Sequence, residues 1–63
     1  MKPYAVRVFD TLSQETSIAT FSLKRNAALH ALCMESGDTV VTRLVAVVEG
    51  DKIIGWREVS LFR

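Results

Sequence analysis

The chain has few of the residues that usually hold a small domain together or carry chemistry. It contains one cysteine, Cys33, which excludes an intrachain disulfide, and one histidine, His30, with no Cys-x-x-Cys pair for a zinc site. A domain of 63 residues buries only about 60% of the surface of its unfolded chain. Small domains without disulfides or metals are commonly stabilised by oligomerisation, so we expect this chain to associate.

Charge of one sign and long apolar runs are also scarce. Eight basic and seven acidic residues leave a net charge of +1, which provides no global field for nucleic acid or an anionic membrane. No run approaches the ~20 apolar residues of a membrane-spanning helix, and the N-terminal stretch lacks the apolar segment of a signal peptide. We therefore expect a single cytoplasmic domain over residues 1–63 that does not contact a membrane.

Alternating apolar residues predict strands over residues 4–9, 16–23, 39–49 and 52–62. Strong helix formers predict one helix over residues 24–36, with Ser22 as its N-cap and Gly37 at its end. We expect Leu29 and Leu32 to be buried against the sheet and His30 to face solvent. The β-β-α-β-β order predicts an α+β fold, a mostly antiparallel four-stranded sheet with the helix packed on one face.

Gly50 and Asp51 lie between the last two apolar runs and predict a two-residue hairpin loop. With that loop, Glu49 faces Lys52, Val45 faces Trp56 and Arg43 faces Glu58. The register places two opposite-charge pairs across the strands, which favours it energetically.

Both faces of this predicted hairpin are apolar at their centre. One face holds Ala46 opposite Gly55, and we assign it to the helix because small residues allow a close approach. The other face then exposes an apolar patch with a charged rim, as protein interfaces do. Its predicted interface residues are Arg43, Val45, Val47, Ile54, Trp56 and Glu58. In the alternative assignment Trp56 belongs to the core and the first face is exposed.

His30 and Cys33 are three residues apart on the predicted helix, within reach of each other. A Cys–His pair can form a thiolate nucleophile, but this one lacks an orienting third group and an oxyanion donor. Cysteine is usually a packing residue. We therefore predict no catalytic, metal or cofactor residues, and a protein that is not an enzyme.

These observations favour a small non-enzymatic regulatory module that binds proteins. It would form a homodimer, or dock on a larger host protein, through the apolar sheet face. A second hypothesis is a sheet that binds single-stranded nucleic acid, since arginines and aromatic residues share the predicted strands. Interleaved acidic residues make nucleic acid the less favoured partner.

A rival interpretation of the pattern starts the helix near residue 13 and continues it to residue 36. The resulting β-helix-β-β order resembles the dodecin family, small cytosolic proteins that assemble into shells holding flavin between tryptophans. The resemblance implies a flavin-binding oligomer as a further alternative. Trp56 departs from the family pattern, because it lies on the last strand and the family carries its stacking tryptophan on the preceding one.

Overall fold

The computed structural model describes the whole chain, residues Met1–Arg63. Its elements are β1 (Tyr4–Asp10), β2 (Thr16–Phe21), α1 (Lys24–Met34), β3 (Thr39–Glu49) and β4 (Lys52–Val59). The strands form one antiparallel sheet in the order β2-β1-β3-β4, and α1 packs on one side of it. The predicted α+β fold is confirmed. Because Thr16–Phe21 is a strand, the long-helix interpretation is wrong, and the dodecin resemblance loses its topological basis.

The core lies between α1 and the central strand β1. Val6 and Val8 point from β1 towards the helix and form a buried cluster with Ala27 and Ala31. Both alanines are completely buried. Small side chains at this contact bring the helix backbone close to the sheet, so the fully buried core consists of valine and alanine alone.

The helix is rotated relative to the predicted orientation. Leu29 and Leu32, expected in the core, are 59% and 61% exposed, because the face with Ala27 and Ala31 packs on the sheet. His30, expected in solvent, is half-buried with its ring centroid 5.1 Å from that of Phe21. With 11 residues, α1 is too short to span a bilayer.

Both ends of α1 differ from the predicted caps. Leu23, not Ser22, is the N-cap, and no side chain caps it. At the other end the Thr39 hydroxyl donates a 2.7 Å hydrogen bond to the Met34 carbonyl and accepts one of 3.0 Å from the Ser36 amide. This hydroxyl satisfies a terminal helix carbonyl without a left-handed glycine.

The β3–β4 hairpin has the predicted tip, with Gly50 at φ 65° and Glu49 opposite Lys52. Its register then changes by one residue, because Val48 pairs with Ile53 whereas Val47 pairs with Gly55. Ile54 is thus an extra residue on β4, a β-bulge.

Beyond this bulge the predicted hairpin pairs are wrong. Trp56 lies opposite Ala46, not Val45, and Glu58 lies opposite Leu44, not Arg43. A one-residue shift in register moves a strand's side chains to the other face relative to its partner.

Candidate functional site: the open sheet face

The side of the sheet that α1 leaves uncovered is called here the open face. Residues directly opposite each other on antiparallel strands share a face, so the strand registers define its members. Its side chains are Ala5, Arg7 and Phe9 of β1; Thr16, Ile18 and Thr20 of β2; Val40, Thr42, Leu44 and Ala46 of β3; and Trp56 and Glu58 of β4. Apolar side chains therefore lie on all four strands of this face.

A shallow depression of about 520 Å³ lies near the middle of the open face. It is lined by Ala5, Arg7, Ile18, Thr20, Leu44, Trp56 and Glu58. Ala5 and Leu44 come from the two central strands, and Ile18 and Trp56 come from opposite edges of the sheet. Ala5 is only 1% exposed, so its larger neighbours shelter it, while Ile18 and Trp56 remain 63% and 42% exposed. A small residue surrounded by larger ones gives this face a concave centre.

Two side chains of opposite charge, Arg7 and Glu58, also line this depression. The structure contains one ion pair, between Arg43 and Glu35 at 3.0 Å on the helix side. Arg7 and Glu58 therefore carry complementary charges on one surface and have no ionic partner within the chain.

The end of the β3–β4 hairpin extends beyond the rest of the sheet as a two-stranded arm. Pairing between β1 and β3 ends at Tyr4 and Val45, and the next amide of β3, at Ala46, bonds to the Pro3 carbonyl. The arm beyond this point carries exposed aliphatic residues: Val47, Val48, Ile53 and Ile54, between 37% and 60% exposed. The molecule is accordingly elongated, measuring 39 × 21 × 17 Å.

The structure separates the predicted interface residues into three places. Trp56 and Glu58 lie on the open face, and Val47 and Ile54 lie on the arm. Arg43 and Val45 lie on the helix side, because each pairs with a β1 residue that points towards α1, namely Val6 and Tyr4. Their grouping with Trp56 is therefore wrong, and the Ile54 bulge is the reason.

The alternative assignment, with Trp56 in the core, is also wrong, because Trp56 lies on the uncovered side. The hairpin face that we assigned to the helix from the sequence is also split between the two sides of the sheet. Gly55 does lie on the helix side of β4, opposite Val47, whereas Ala46 lies on the open face, opposite Trp56. The assignment of β4 therefore holds beyond its bulge, and that of β3 is inverted.

The remaining lining residues of the depression, Arg7, Ile18 and Leu44 among them, were not predicted as interface residues. The alternation of side chains along β1 and β2 does place Arg7 and Ile18 on the side of each strand that faces away from the core. The missing information is the strand order, which places β1 next to β3 and β2 at the edge. Alternation assigns residues to the two sides of a strand and does not identify neighbouring strands.

A second depression, of about 480 Å³, lies where the C-terminal segment folds over the helix side of β4. Phe62 closes part of it by packing edge-on against Tyr4, with ring centroids 5.8 Å apart. Phe62 is therefore half-buried beside the core.

His30 and Cys33 have different surroundings on α1. The His30 ring lies against Phe21, and the Cys33 thiol is exposed. This arrangement matches a histidine that packs on the sheet.

No protein-family model, no curated protein and no solved structure matches this chain. The open face and its two unpaired charges are the features of the chain that indicate a function.

Proposed function

We propose that this chain is a non-enzymatic protein-binding module that forms a homodimer through its open face. The observation that carries the proposal is the open depression between Ile18 and Trp56, with the unpaired charges of Arg7 and Glu58 beside it. An apolar centre with a charged rim is typical of a protein interface, and tryptophan is enriched among the residues that dominate binding energy.

The charges favour a second copy of the chain as the occupant. In a two-fold symmetric dimer, if residue i contacts residue j of the partner, then j also contacts i of the partner. One face bearing both an unpaired arginine and an unpaired glutamate can thus form two reciprocal ion pairs, Arg7 with Glu58 of the other copy and the reverse. Complementary charges across an interface set its register and exclude incorrect partners.

The exposed apolar residues supply the driving force. Burial of apolar surface contributes about 25 cal/mol per Å², so covering Trp56, Ile18 and Leu44 is worth several kcal/mol. Association entropy offsets part of this, and an affinity of about micromolar order is expected.

The first test is the oligomeric state at about 100 µM, well above a micromolar dissociation constant. We expect sedimentation to show a dimer for the wild type and a folded monomer for Trp56→Asp, with unchanged helix content by circular dichroism. Leu32→Asp is the matched control, because it places the same charge on an exposed apolar position of the helix. The control should remain dimeric.

The second test separates reciprocal charge pairing from apolar contact. Arg7→Glu and Glu58→Arg each place like charges opposite each other and should weaken the dimer. The double variant restores the opposite-charge pairs and should recover most of the affinity. Equal weakening in the double variant would contradict reciprocal pairing.

A monomeric wild type would contradict the homodimer. Specific binding of the open face to a larger protein would then support the docking hypothesis. Salt-dependent binding of a single-stranded oligonucleotide would instead support the nucleic-acid hypothesis.

A further inference from the structure

The two edges of the sheet are protected to very different degrees. An edge strand offers unpaired backbone N–H and C=O groups to any other strand, and natural proteins protect such edges with charges, prolines or bulges. The β4 edge carries Lys52, Arg57 and Glu58 and has the bulge at Ile54. The β2 edge, Thr16–Phe21, has no charged residue and no proline, and its register with β1 is regular throughout.

We propose that β2 pairs with β2 of a second copy, antiparallel and centred on Ile18, so that two sheets join into one of eight strands. A two-fold axis at Ile18 places this residue opposite itself, Thr16 opposite Thr20 of the partner, and Ser17 opposite Ala19 of the partner. Residues directly opposite each other must lie on the same face of the sheet. This register meets that condition, because Thr16, Ile18 and Thr20 lie on the open face and Ser17 and Ala19 lie on the helix side.

In this register, each of these residues of β2 lies opposite a residue with which it can pack or form a hydrogen bond. Ile18, 63% exposed in the single chain, is covered by the same residue of the partner. Opposed threonines can exchange hydroxyl hydrogen bonds, and Ser17 with Ala19 is a pair of small residues. No charges of like sign oppose each other within the strand, so a second copy fits this edge without repulsion.

This edge contact is separate from the proposed open-face dimer, and the two are compatible. Pairing at the edge leaves both open faces on the same side of the enlarged sheet. Edge-paired sheets can therefore associate further through their open faces. The edge contact is the weaker of the two, because it covers little apolar surface beyond Ile18. At the ~100 µM of the sedimentation test the open-face dimer therefore prevails, and assemblies larger than a dimer form only at higher concentration.

Cysteine cross-linking tests the edge contact on the helix side of the sheet, away from the open face. Ser17 and Ala19 pair with Val8 and Val6 of β1, which point towards α1. In a Cys33→Ser background, we expect Ser17→Cys mixed with Ala19→Cys to give a disulfide-linked dimer under mild oxidation. Directly opposite Cβ atoms lie about 4.5–5.5 Å apart across antiparallel strands, but diagonal positions lie about 7–8 Å apart. Each variant alone should therefore remain unlinked.

The same mixture carrying Trp56→Asp distinguishes this proposal from the open-face dimer. Cross-linking that persists in the Trp56→Asp background supports β2 pairing whether or not the open face associates. Absence of cross-linking in both backgrounds overturns the edge contact and leaves the open-face proposal to its own sedimentation result. Cross-linking of Ala19→Cys with itself overturns the register centred on Ile18.

Discussion

The two faces of the sheet are built from side chains of different size. On the helix side, the fully buried contact consists of Val6, Val8, Ala27 and Ala31, and larger residues only flank it. On the open face, large apolar side chains such as Ile18 and Trp56 remain exposed. The single chain thus buries its small residues most completely and leaves large ones at its surface. This difference indicates that close helix–sheet approach specifies the fold, while the larger side chains remain available for association.

The largest difference in stability should come from placing glutamine on the buried side of α1, at Ala31, and on its exposed side, at Leu32. Ala31→Gln forces a longer side chain with an amide into a fully buried position and should destabilise the chain by about 2–5 kcal/mol, from overpacking and an unsatisfied amide. Leu32→Gln, one residue along on the exposed side, should change stability by less than about 0.5 kcal/mol. Urea denaturation followed by circular dichroism measures both. Equal losses would show that the buried and exposed sides of α1 are not distinct.

An intermediate effect is expected at the turn that sets the hairpin register. Gly50 has φ 65°, which a β-branched residue resists, so Gly50→Val should cost about 2 kcal/mol. Gly55→Val is the control, because an added Cβ there meets no atom within 4 Å and its φ is not positive. Valine suits a strand, so the control should match or exceed wild-type stability. Comparable destabilisation of both variants in thermal melts would refute the importance of the turn conformation.

The smallest effect separates two threonines of β3 that point to opposite faces. Thr39→Val removes the hydroxyl that bonds both Met34 and Ser36 at the end of α1, and should cost about 1 kcal/mol. Thr42→Val makes the same change on the open face, where it adds apolar surface and should leave stability within about 0.5 kcal/mol of wild type. A lower urea midpoint for Thr42→Val than for Thr39→Val would contradict this difference between the faces.

The fold was largely predictable because its local signals agree. Alternation located the strands and Gly50-Asp51 located the hairpin tip, since left-handed backbone at a two-residue loop requires such residues. The length of β4 and the caps of α1 were harder to predict from the sequence. The cap at Met34 depends on the Thr39 hydroxyl, and a hydroxyl five residues away is not visible as a conventional cap.

The candidate site was less predictable, for two physical reasons. The bulge at Ile54 shifts one strand by one residue, and its signal in the sequence is the adjacent Gly55. A glycine inside a strand indicates either a bulge or a close backbone approach, and the sequence interpretation used it only for the second. The orientation of α1 depends on whether alanines or leucines pack on the sheet, and both are strong helix formers. Trp56 and Glu58 were placed correctly on an uncovered face, whereas Arg43 and Val45 were not.

The central position of β1 affects the rate at which the chain reaches its native state. β1 forms a hairpin with β2 nearby, but its other neighbour is β3, so Tyr4 must find Val45 across most of the chain. Hairpins form in about 1–10 µs, whereas contacts distant in sequence first require closure of a long loop. We therefore expect the docking of the two hairpins through β1 and β3 to limit the folding rate, despite the small size of the domain.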